Sequence, residues 1–190
     1  MIKKFSLIYF SIICLFACTK DEVTQPQFIN NTEQISSVVI RLFSIEKPDS
    51  VFGIVWRDVD GFGGLDPIVE VMNLKQNQHY QMNMIVLNEF VNPVDTISNE
   101  IRKEAAVHQF FYYPDSLLEN KLSIHVIDSD ETGKPLGLLT ALTTLPFLAG
   151  QTVKEGNMKI ILSHYDGIPK TEKPSPESDM EIVFPIKISE

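Results

Sequence analysis

A chain of 190 residues, 44% hydrophobic and with 25 acidic side chains against 16 basic, carries a formal charge of −9. That acidic balance opposes a nucleic acid or an anionic membrane face as partner. The only two cysteines are Cys14 and Cys18, so disulfides, thiolate zinc sites and cysteine nucleophiles are excluded from everything after the first eighteen residues.

The first predicted element is a leader. Lys3 and Lys4 precede an apolar run over residues 5–17, which is too short for a span of about 20 residues but matches a secretory signal. Leu15-Phe16-Ala17 puts a small residue directly before Cys18, as bacterial lipoprotein signals require for acylation and cleavage, whereas Cys14 follows the bulkier Ile13. The expectation is therefore a signal peptide at 1–17, palmitate-type acylation of Cys18 that anchors the chain in a membrane, a polar tether at 18–31, and one domain at 32–190. An ordinary secretory cleavage is the alternative. Removal of the leader leaves 14 basic against 25 acidic side chains, a charge of −11.

Within the domain, period-two alternation predicts strands at 35–43, 51–56, 68–74, 80–87, 110–113, 122–127, 158–164 and 180–188. The last is the clearest, with Met180, Ile182, Phe184, Ile186 and Ile188 on one face. Residues 97–107 read as helix, with Asp95, Thr96 or Ser98 available as N-cap. Residues 168–178, with three prolines among charges, read as a loop or wide hairpin. Short strands with one short helix predict a mostly β fold, an antiparallel immunoglobulin-like β-sandwich.

Two acidic loops invite a cation. Asp58, Asp60 and Asp66 follow a strand, with Gly61, Gly63 and Gly64 permitting a tight backbone path, though Phe62 stands where a third ligand would fall. Asp128 and Asp130 open a stretch with oxygen-bearing residues at positions one, three and five and Gly133 at the sixth, like the start of an EF-hand loop, but Leu139 stands where a bidentate glutamate belongs. Calcium binding requires both loops to meet at one end of the sandwich; otherwise they are hairpin turns. Glu100, Glu104 and His108 share one face of the predicted helix and can ligate a transition metal, or His108 can simply complement the helix C-terminus. His79, His125 and His164 stand alone on strands and read as packed or surface residues. The run Phe110-Phe111-Tyr112-Tyr113 is either a stacking platform for a sugar or half core. No nucleophile elbow, zincin, P-loop or dinucleotide motif is present, and paired carboxylates alone do not nominate a glycosidase.

The segments DVDGFGG at 58–64, LNE at 87–89, DTISNEIRKEAAVHQFFYY at 95–113, DSDETGKPLGL at 128–138 and EIVFP at 181–185 together resemble a family of small Bacteroidetes lipoproteins labelled as type 1 periplasmic binding fold proteins. The likeness spans nearly the whole domain. It carries over to Asp58, Asp60, Gly61, Gly63, Gly64, Glu104, His108 and Gln109, and TKDE at 19–22 resembles the surface-export signal of such lipoproteins. Members of that family have no settled activity and are often encoded near TonB-dependent receptors, so the resemblance implies an outer-membrane protein, on its periplasmic or surface face, with such a receptor as candidate partner. The two α/β lobes named by the label need alternating helices and strands that this chain lacks, so the sandwich remains the expected fold. A non-catalytic binding or accessory lipoprotein is the first functional expectation; a calcium-binding module and a surface glycan hydrolase are the alternatives.

Overall fold

The structure, a computed structural model, describes residues 34–47, 51–61, 63–148, 150 and 153–190. The leader, Cys18, the tether and Phe62 lie outside the described residues. Strands β1 (Ser37–Ser44), β2 (Val51–Arg57), β3 (Ile68–Val69), β4 (Met72–Lys75) and β5 (His79–Leu87) precede the helix α1 (Ile97–Lys103). After it come β6 (His108–Pro114), β7 (Leu122–Val126), β8 (Leu139–Thr144), β9 (Val153–His164) and β10 (Ser178–Ser189). They form a six-stranded sheet, ordered β3-β2-β1-β5-β8-β7, and a four-stranded sheet, ordered β4-β10-β9-β6.

Alternation decides what the sheets bury. Val38, Ile40 and Leu42 of β1 and Met82, Met84 and Val86 of β5 point inward from the larger sheet. Met158, Ile160 and Leu162 of β9 and Ile182, Phe184, Ile186 and Ile188 of β10 do so from the smaller, and all join one core cluster. The two sheets therefore face each other as a β-sandwich. Each such side chain contributes about 1.5–3 kcal/mol by leaving water. Ile97 and Ile101 of α1 enter the same core, which fixes the helix against the sandwich although Thr96 at its N-cap makes no side-chain bond.

The structure differs from the pattern in four places. The helix stops at Lys103, with Glu104 as C-cap, because His108 and the residues after it are recruited as β6 against β9. The predicted strand at 68–74 is two strands: β3 pairs with β2 in the large sheet, and the chain then crosses at Glu70 and Val71 so that β4 pairs parallel with β10 in the small one. That parallel pair departs from an otherwise antiparallel arrangement. β8 escapes hydrophobic alternation because its inward residues Thr140, Leu142 and Thr144 are two parts threonine. Thr144 is held by polar bonds, donating to the Lys75 carbonyl at 2.6 Å and accepting from the Gln78 amide at 3.0 Å. Finally, β9 begins at Val153, well ahead of Met158 where the alternation starts, because its partner β10 runs to Ser189.

Candidate functional site

The acidic loops do not meet. Asp58 follows β2 and Asp128 follows β7, and the order β2-β1-β5-β8-β7 puts four strand spacings between them, roughly 19 Å. Calcium ligands lie within about 2.6 Å of the ion, so the expected convergence of Asp58, Asp60, Asp66, Asp128 and Asp130 on one cation is not formed. Their oxygens serve backbone amides instead. Asp58 Oδ1 accepts from the Gly61 amide at 2.8 Å, and Asp60 takes the Leu65 amide at 3.1 Å. Gly61 and Gly63 adopt positive φ, and a Cβ on Gly64 would stand 2.5 Å from the Asp60 carboxylate. Asp66 is exposed beyond this turn. Asp128 Oδ1 accepts from the Gly137 amide at 2.8 Å.

Asp130 has a different partner. Its Oδ1 accepts from the amides of Thr132 and Lys134 at 2.9 and 3.0 Å and from the Thr132 hydroxyl, while Oδ2 meets Lys170 Nζ at 3.1 Å. The two side chains are 3% and 1% exposed. Lys170 comes from the loop between β9 and β10 and also donates to the Ala105 carbonyl at 2.8 Å. One ammonium thus joins three segments: the β7–β8 hairpin, the turn after α1 and the long loop. Burial would raise the Asp130 carboxyl, but the Thr132 and Lys134 bonds and the ammonium outweigh it and hold it well below the ordinary range. Burial draws the Lys170 ammonium down.

The second constellation gathers where β6, β9 and β10 end together. His108 pairs in register with His164, one step beyond the pair Phe110 and Leu162 and on the same inward parity as Phe110, Tyr112, Ile160 and Leu162. Two imidazoles thus close the end of an apolar row. β10 carries a bulge between Ser178 and Met180, and the extra residue, Asp179, is aimed at both rings. Its Oδ2 stands 3.5 Å from His108 Nε2 and its Oδ1 3.3 Å from His164 Nδ1. The rings lie 4.7 Å apart, tilted by 42°. His108 is fully buried, and its Nδ1 lies 3.1 Å from the Glu104 carbonyl. So Glu104 serves His108 through its backbone; Glu100 and Glu104 are not in the cluster that the expected helix-face site would have formed. Burial would raise Asp179, yet the bond to His108 and the charge of His164 prevail and lower it.

The sequence reading missed Asp179 and took His164 for an isolated residue. The available signal was parity: His164 continues the inward set of β9, where a hydrophobe is expected. His79 instead meets Thr143 Oγ1 at 3.0 Å on the surface, and His125 is exposed.

The aromatic run divides as alternation requires. Phe110 is core and Tyr112 donates to the Gly137 carbonyl, while Phe111 packs with Ile161 and Tyr165 on the outer face and lies parallel to Tyr113 at 6.4 Å. Between the edge strands β6 and β7 runs a groove of about 280 Å³, lined by Gln109, Phe111, Tyr112, Ile124, Val126 and Glu172 among others. A second, of about 220 Å³, lies beside Arg57, Asp58 and Phe90. There Arg57 and Glu89 pair, and the Arg57 bonds together with the Ser37 hydroxyl hold the Glu89 carboxyl low.

No protein family, curated protein or solved structure matches this chain.

Proposed function

We propose that this protein is a lipid-anchored, non-catalytic binding or accessory module of the bacterial outer membrane, tethered through Cys18 and working beside a TonB-dependent receptor. The observation that carries the binding reading is the groove between β6 and β7. Each of these strands is the edge of its sheet, and beyond the Phe110 amide, which donates to the Leu136 carbonyl, the two edges flank a floor of Phe111, Tyr112, Ile124 and Val126. An extended segment of a partner laid there gains ladder hydrogen bonds and apolar contact at once. The motif Leu15-Phe16-Ala17-Cys18 supports the anchor, and acylation there would hold the sandwich about a dozen residues from the lipid surface.

The test uses the full chain expressed in a bacterial host of the same envelope type. Labelled palmitate should enter the wild type and sediment with outer membranes, and Cys18→Ala should be unlabelled and soluble. A photoreactive residue in place of Glu172 at the groove should cross-link to an outer-membrane protein, whereas one in place of Glu155 on exposed β9 should not. Soluble wild-type protein overturns the anchor, and equal or absent adducts at the two positions overturn the groove.

A further inference from the structure

We propose that His108, His164 and Asp179 form a binding site for one divalent transition cation of the zinc class. Three observations carry it. The first is spacing. Adjacent ligands on a tetrahedral centre with bonds of about 2.0–2.1 Å are separated by roughly 3.3–3.4 Å. The Asp179 carboxylate turns one oxygen to each ring, Oδ2 3.5 Å from His108 Nε2 and Oδ1 3.3 Å from His164 Nδ1. One ligand atom from each residue lies within 4.8 Å of the others, so the atoms need close by at most about 1.4 Å to reach tetrahedral spacing.

The second observation is orientation. His108 Nδ1 sits 3.1 Å from the Glu104 carbonyl, and a bond from that N–H turns Nε2 toward Asp179. Metal-binding histidines are held by this kind of bond from their other ring nitrogen.

The third is placement. The cluster occupies the end of the inward row of the small sheet, with His108 fully buried and the side chains of His164 and Asp179 18% and 12% exposed. The apolar row excludes water from one side, and the two partly exposed ligands leave an entry on the other. Two imidazoles and one carboxylate favour zinc, nickel or copper over calcium and magnesium, which prefer all-oxygen shells. Three protein ligands leave a fourth position for water. The cation would bridge β6, β9 and the β10 bulge, so its binding would also stiffen this end of the sandwich. This inference is independent of the groove and the anchor.

The experiment is a calorimetric zinc titration of the full-length protein in detergent after chelator treatment, with magnesium and calcium alongside. One equivalent of zinc should bind, much more tightly than either control ion. His164→Gln and Asp179→Asn should each weaken it at least about tenfold, while His79→Gln on the opposite sheet leaves it unchanged. Cobalt should give the visible bands of a tetrahedral nitrogen and oxygen shell in the wild type and lose them in His164→Gln. If Asp179→Asn does not fold, His164→Gln, altered at the more exposed ligand, carries the test, with circular dichroism to verify its fold. Zinc binding no tighter than calcium, or unchanged in folded His164→Gln, overturns the proposal.

Discussion

Replacing Asp130 by Asn isolates the buried ion pair that joins the β7–β8 hairpin to the long loop. In the wild type Lys170 Nζ has the Asp130 carboxylate at 3.1 Å and the Ala105 carbonyl at 2.8 Å, and its side chain is 1% exposed. Asp130→Asn leaves that ammonium buried without its counter-charge, a loss of about 3–5 kcal/mol. For a domain of this size the melting temperature should fall by roughly 10 °C. Lys170→Met is less harmful, because Asp130 retains the Thr132 and Lys134 bonds; it should cost about 1–3 kcal/mol. The double variant should be no less stable than Asp130→Asn alone, since neither charge is then stranded.

Thermal unfolding of the full-length protein followed by circular dichroism measures all three. The pH dependence adds a sign. The Asp130 carboxyl is held below its unfolded value, so its contribution is fully present above the ordinary carboxylate range and is lost as pH falls through the folded value. The gap between wild type and Asp130→Asn should therefore narrow on acidification. A melting temperature for Asp130→Asn within about 2 °C of wild type, or strict additivity in the double variant, refutes the account of Lys170 as a cross-link.

Two further substitutions probe the loops. Gly137 has a φ of +95°, and a Cβ there would stand 2.8 Å from the Phe110 Cβ; Gly137→Ala should destabilise by about 1–3 kcal/mol in urea unfolding, and a neutral result would mean that the backbone beside β6 yields freely. Asp58→Ala removes the acceptor of the Gly61 amide and should cost about 0.5–1.5 kcal/mol, equally with chelator and with millimolar calcium. A loss seen only with calcium would return the loop to ion binding.

The sequence by itself determined the fold class, the acidic surface and most of the strands. Alternation such as Met180, Ile182, Phe184, Ile186 and Ile188 is a local consequence of the pleat, so one strand carries its own evidence. It also determined both acidic turns, since Asp58, Asp60 and Asp130 bond to amides two to five residues away.

Tertiary structure decided whatever depends on pairing between distant segments. It cut the helix short at Lys103 and split one predicted strand between two sheets. It hid β8 behind inward threonines, of which Thr144 bonds to β4 and to the turn after it. It separated the two acidic loops by strand order and gave Asp130 a lysine 40 residues away. It also put His108 against His164 and brought in Asp179 through a bulge. No short-range pattern encodes these, because register between strands is set by the combined burial of both sheets and only then delivers three side chains, spread over 72 residues of chain, to one place.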